Sequence, residues 1–176
     1  MAKKLKVGVV GATGMVGQTF MNIMEERKFP FSELRPFASE TSAGKQIHVQ
    51  GQDWTVQALK PGCFAGLDLV FFSSGDDISK EWAPEAVRSG AFAVDNSAAF
   101  RMDSSKHLIV PEVNSHLLGA GSTPQVIANP NCSTIQLVVA LKPLAEKFGL
   151  EEVRVASYQA VSGAGIAGYD ELLAQT

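Results

Sequence analysis

The sequence predicts a doubly wound, mostly parallel α/β sheet followed by the start of a second, α+β unit. Three observations predict it. Short runs rich in β-branched residues recur along the chain and alternate with longer helical patterns. A glycine-spaced turn joins the first run directly to the first helical pattern. The residues closing the runs (Gly11, Ser73, Asn96, Asn129) are small or polar, and they stand at the strand ends where sheets of this kind bind ligands.

Residues 6–10 (Lys-Val-Gly-Val-Val) read as a buried strand. Gly11, Ala12, Thr13, Gly14, Met15, Val16 and Gly17 then open a helix carried by Phe20, Ile23 and Met24 and stopped before Pro30. Strand, glycine turn and helix together form a dinucleotide-binding signal. Glycine lets the backbone turn tightly and approach a pyrophosphate, and the helix N-terminus supplies N–H donors to it. The spacing is Gly-x-x-Gly-x-x-Gly, and a tight strand–helix turn without a ligand is the alternative. Gly11, Thr13, Gly14, Met15 and Val16 are the candidate cofactor residues of this turn.

Residues 34–38 are the second strand. Its end runs Ser39-Glu40-Thr41-Ser42-Ala43-Gly44-Lys45, where an NAD site would carry an acidic residue on the ribose hydroxyls. Hydroxyls at Ser39, Thr41 and Ser42 with Lys45 nearby suit a 2′-phosphate and hence NADP, while Glu40 opposes it; a solvated polar turn is the alternative. Residues 47–49 and 54–56 predict a hairpin around Gly51, Gln52 and Asp53. Residues 68–73 form a buried strand ending in Ser74 and Gly75, two further cofactor candidates. Ser79 is placed to cap a helix over 80–88 that Gly90 ends. Strands follow over 91–95, 108–110 and 126–128.

Pro130 disfavours helix at Asn129, so the chain turns there and Cys132 falls in the first turn of a helix reaching 148. Helix N-termini favour anions, and the thiolate is the reactive form of cysteine. The alternative is a small buried apolar side chain, the commoner fate of a free cysteine. Gly149 stops the helix, residues 153–158 alternate as a strand, and a helical fragment covers 169–175. The domain reading is 1–131 for dinucleotide binding and 132–176 for the beginning of a catalytic or dimerisation domain.

At 176 residues, 45% hydrophobic and 19% charged, the composition is that of an ordinary globular protein. The net charge of −3 carries no basic block, so nothing points to nucleic acid or an anionic membrane. No apolar run reaches the roughly 18 residues of a membrane span, and the N-terminus does not read as a signal peptide. Cys63 and Cys132 offer neither a disulfide framework nor a metal spacing, and His48, His107 and His116 read as surface residues, so no metal and a reduced, cytoplasmic setting are expected.

The glycine turn, Asp95-Asn96-Ser97, Phe100-Arg101-Met102, Val110 to Asn114, Asn129-Pro130-Asn131-Cys132-Ser133-Thr134 and Ser157 to Gly165, taken in order, resemble aspartate-β-semialdehyde dehydrogenase. The resemblance implies a Rossmann-like NADP(H)-binding domain. Cys132 would attack β-aspartyl phosphate, phosphate would leave, and NADPH would reduce the thioester to aspartate semialdehyde, in the biosynthesis of lysine, threonine and methionine. It implies that Arg101 and Asn131 hold phosphate or substrate, that Gln159 orients the acyl group, and that Ser162 and Gly163 join the cofactor site. It also implies a homodimer or tetramer. Many bacterial members carry Arg where this chain has Thr41. Members run to about twice this length and keep their acid–base His, a substrate Arg and a phosphate Lys in the later part, so the 176 residues alone are expected to be inactive. A non-catalytic nucleotide-binding module and a related acyl-phosphate reductase are the competing readings.

Overall fold

The computed structural model describes residues 4–119 and 123–176. Strand β1 (Leu5–Val10) leads through the glycine turn into helix α1 (Met15–Glu26) and back to β2 (Phe31–Ala38). After a 3₁₀ turn at Glu40–Ser42 come β3 (Gln46–Val49), β4 (Gln52–Thr55) and β5 (Gln57–Ala58). Then follow β6 (Leu69–Phe72), α2 (Asp76–Arg88), β7 (Phe92–Asp95), β8 (His107–Leu108), α3 (Pro111–Asn114) and β9 (Val126–Ala128). Helices α4 (Cys132–Phe148) and α5 (Gly165–Gln175) close the chain. Among the described residues no helix is long and apolar enough to cross a membrane.

Seven described strands form one sheet in the order β5-β2-β1-β6-β7-β9-β8, and every pairing in it is parallel. The order reverses between β1 and β6, the position at which a doubly wound sheet opens a ligand crevice. Side chains alternate across the sheet. Val7 and Val9 enter the core built with Met21 and Met24 of α1 and Val49 of the β3–β4 hairpin. Val10, Phe72 and Ala93 enter the core on the other face, with Ala83 and Ala86 of α2. Phe64 is the hub of that second core, edge-on to Phe37, Phe72 and Trp82 at 5.4–6.2 Å between ring centroids. Pro36 sits inside β2 without breaking it, because β5 pairs only with Phe37 and Ala38 and leaves that edge open beside the proline.

Four sequence expectations are corrected. Ser79 does not cap α2: the helix starts four residues earlier than expected, after Gly75 at φ +95°, with Asp76 and Asp77 in its first turn. Acidic residues there complement the helix dipole, which frees Ser79 to turn inward, fully buried. The hairpin turns at Gln50 and Gly51, both at positive φ, so Gln52 and Asp53 belong to the ladder. In the 108–110 run the registered strand is limited to His107 and Leu108; the Ile109 N–H still donates to the Ala128 carbonyl at 3.0 Å, and beyond it the Asn114 side chain takes the Val110 N–H (2.8 Å) and donates to the Leu108 carbonyl (2.9 Å). Residues 153–158 form no strand. A strand exists through the backbone of its neighbour, and no described residue pairs with this segment, whose Val155 and Tyr158 are exposed.

Candidate active site

The carboxyl ends of β1, β6, β7 and β9 meet along one rim. Gly11 leaves β1 at φ +83°, and a Cβ on it would stand 2.8 Å from the Ser73 carbonyl at the end of β6. Its N–H and that of Ala12 donate to the Phe37 carbonyl at 2.9 and 3.0 Å, which ties the turn to β2. Gly17 is buried, and a Cβ there would lie 2.2 Å from the Gly11 carbonyl oxygen. The two glycines therefore let α1 start directly against the strand ends. No side chain caps α1, and the N–H groups of Met15, Val16 and Gly17 have no partner among the described residues. Such a helix start is suited to an anion.

Two clefts flank this turn. One, of about 490 Å³, is lined by the predicted Gly11, Thr13, Ser39 and Ser74, together with Glu40 and Trp82. The Ser74 hydroxyl oxygen in its wall is buried and has no hydrogen-bond partner among the described residues. The other, of about 530 Å³, is lined by Gly14, Met15 and Val16 of the α1 start together with Arg101, Asn131 and Cys132. Ser162 and Gly163 close it.

Cys132 is the first residue of α4 and is exposed, so the buried apolar alternative does not hold. Asn131 caps the helix: its Oδ1 accepts from the N–H of Ser133 at 3.1 Å and of Thr134 at 3.3 Å. The Asn131 oxygen is thus committed, and its NH₂ is the end left for a ligand. Arg101 is held by two carbonyls, its Nε donating to Asn129 and its Nη2 to Asn96, both at 3.0 Å. Asn129 also donates to Asn96 Oδ1 at 2.6 Å. Beneath this loop Asp95 is fully buried and accepts from Ser79 Oγ (2.7 Å), Ser97 Oγ (2.8 Å) and Ser97 N–H (3.1 Å). The other cysteine, Cys63, is buried, and burial pushes its thiol above the ordinary range.

Four predicted residues stand off the cleft walls. The Thr41 hydroxyl is 2.9 Å from Ser39 Oγ, and Ser42 is buried and accepts from Lys45 Nζ at 3.4 Å. Gly75 is the N-cap of α2. Gln159 is exposed and donates to Ser133 Oγ at 3.0 Å. Sequence reasoning missed Ile78 and Trp82 as cleft residues. Their i,i+4 spacing on α2 is a signal for a shared apolar face, but it does not distinguish core from cleft.

A glycine turn at the switch point of a parallel sheet, with an exposed cysteine at a helix start across the rim, defines a dinucleotide-binding protein of the Rossmann type. Residues 6–120 match the family model for the semialdehyde dehydrogenase NAD binding domain, and residues 141–176 match that for the semialdehyde dehydrogenase dimerisation domain. The chain belongs to the semialdehyde dehydrogenase family. It is similar to the aspartate-semialdehyde dehydrogenase of Aquifex aeolicus, 50% identical over 172 residues, covering 97% of this chain and 51% of that one. Among solved structures it is similar to Vibrio cholerae aspartate semialdehyde dehydrogenase II complexed with ASA (TM-score 0.91, 41% identity, 99% of this chain and 52% of that one). It also resembles Candida albicans aspartate semialdehyde dehydrogenase with NADP (TM-score 0.72, 32% identity, 84% and 48%). The chain spans about half the length of the curated relatives it matches.

Proposed function

We propose that this chain carries the nucleotide-binding and acyl-accepting machinery of an aspartate-semialdehyde dehydrogenase, with residues 1–131 as the cofactor domain and 132–176 opening the catalytic domain. The observation that carries the reading is the shared cleft: Cys132 and Arg101 line the same space of about 530 Å³ as Met15 and Val16 of the glycine turn. In this reading the Cys132 sulfur attacks the acyl carbon of β-aspartyl phosphate. The carbon–oxygen bond to phosphate breaks, and phosphate departs with the bonding pair, leaving a thioester on Cys132. Arg101 offers its remaining guanidinium nitrogen to the phosphate, and its hold on two carbonyls fixes that cation in place. Gln159 orients the acyl group.

The residues present fit NADP(H). Gly11 and Gly17 make a cradle that a Cβ would fill, α1 presents free N–H groups to a pyrophosphate, and the Ser74 hydroxyl, unpartnered among the described residues, lies in the wall of the neighbouring cleft on the other side of the turn. Ser39 and Thr41 are the hydroxyls for the 2′-phosphate, and Ser162 and Gly163 bound the other end. When bound, the cofactor supplies a hydride. The NADP named with the Candida albicans structure supports this choice. The exposed Phe148, Val155 and Leu173 and the dimerisation-domain match support a homo-oligomer.

The test is acylation. Incubation with β-aspartyl phosphate, followed by intact mass and hydroxylamine treatment, is expected to give one labile adduct on Cys132 that Cys132→Ser abolishes. NADPH binding without any adduct would replace this reading by a nucleotide-binding module.

A further inference from the structure

Ser133, next to the cysteine, makes two hydrogen bonds that decide how a third side chain is presented. Its Oγ lies 2.7 Å from Asn131 Oδ1 and 3.0 Å from Gln159 Nε2. Asn131 Oδ1 is already the acceptor for the N–H groups of Ser133 and Thr134, so it is an oxygen and has no proton to offer. The Ser133 proton must go to Asn131, which leaves the Ser133 oxygen as an acceptor. Only the NH₂ end of Gln159 can meet it. The opposite flip would set two oxygens face to face with the one available proton committed elsewhere. The direction of the chain from Gln159 to Ser133 to Asn131 is therefore set by the helix cap itself.

We propose that Ser133 is a positioning residue: it fixes which end of the Gln159 amide is turned toward α4, and so leaves the second Nε2 hydrogen and Oε1 for the group carried on Cys132. The link spans 26 positions of sequence and anchors the segment that leads to Ser162 and Gly163 in the cleft wall. The proposal rests on the reading of Cys132 as the acyl acceptor, and its test separates the two.

The experiment uses the 176-residue chain labelled with ¹⁵N-glutamine, the Gln159 side-chain NH₂ pair being assigned by its loss in Gln159→Ala. In Ser133→Ala that pair is expected to move to the position of a free amide and to exchange with water about tenfold faster, the loss expected of one hydrogen bond. In Ser133→Thr, which keeps the hydroxyl, it is expected to stay at the wild-type position; this variant also controls for folding of the α4 start. A Gln159 pair unmoved in Ser133→Ala, or moved equally in both variants, overturns the proposal. Acylation by β-aspartyl phosphate is measured alongside, with an expected fall of about tenfold in Ser133→Ala and recovery in Ser133→Thr. A wild-type chain that binds the amide as described yet takes no acyl group would strike the reading of Cys132 while supporting the relay.

Discussion

Replacing Gly17 by alanine tests whether the third glycine of the turn is there for packing. The added Cβ would lie 2.2 Å from the Gly11 carbonyl oxygen, against 3.4 Å for the near limit of ordinary contact, a deficit of 1.2 Å (3.4 − 2.2). The obstacle is backbone of the same turn, so no side-chain rotation relieves it, and α1 must retreat from the strand ends. Overpacking of this kind costs about 3 kcal/mol, and alanine returns about 1 kcal/mol through helix propensity. The net loss of about 2 kcal/mol lowers the melting temperature by about 4–8 °C for a chain of this size. The same retreat carries the Met15, Val16 and Gly17 N–H groups away from a bound pyrophosphate by more than a hydrogen bond tolerates. NADPH affinity is then expected to fall about 100-fold, or about 2.7 kcal/mol. Calorimetric melting and a fluorescence titration with NADPH measure the two effects. Gly14→Ala is the stability control, since its Cβ meets a single atom at 3.3 Å and its φ is −78°. A Gly17→Ala chain that melts within about 1 °C of wild type and binds NADPH equally well would refute the packing role.

Four further outcomes follow from the geometry. Mild alkylation at neutral pH should label the exposed Cys132 and spare the buried Cys63, with phosphate slowing the reaction; equal labelling of both by peptide mass spectrometry would contradict the site. Because burial raises the Cys63 thiol above its unfolded value, the folded chain keeps that proton longer than the unfolded one, so stability should fall as pH rises through the unfolded and toward the folded pKa; Cys63→Ala should flatten that alkaline loss in melts across pH. Asp95→Asn turns a buried acceptor of three hydrogen bonds into a group that can no longer accept at both ends. It is expected to cost about 2 kcal/mol, read as a melting temperature about 4–8 °C lower, and an unchanged melt would show the network to be dispensable. Glu40→Gln removes a negative charge from the cleft wall and should tighten NADPH by about 2–5-fold, the scale of one exposed charge pair, while leaving NADH unchanged; equal effects on both would place Glu40 away from the 2′-phosphate.

The parts that local pattern writes were legible in the sequence. β1, the glycine turn and α1 lie within a few residues of one another, and the apolar period changes from strand to helix at Gly11. Cys132 was placed at a helix start because Pro130 restricts Asn129, and backbone sterics of that kind need no distant partner. What failed depended on a partner elsewhere. Ser79 has the chemistry of a cap, and only the position of Asp95, sixteen residues on, turns it inward. Residues 153–158 alternate as a strand should, yet alternation says which face would be buried and cannot supply the neighbouring backbone that a ladder requires. Gln159 is the mixed case. Its motif marked it, while its orientation comes from a proton that Ser133 owes to Asn131, and the direction of that proton is fixed only once the cap of α4 is formed. A site of this kind is therefore specified in two stages: the local sequence builds the helix start that exposes the sulfur, and the cap that completes that start also aims the amide beside it.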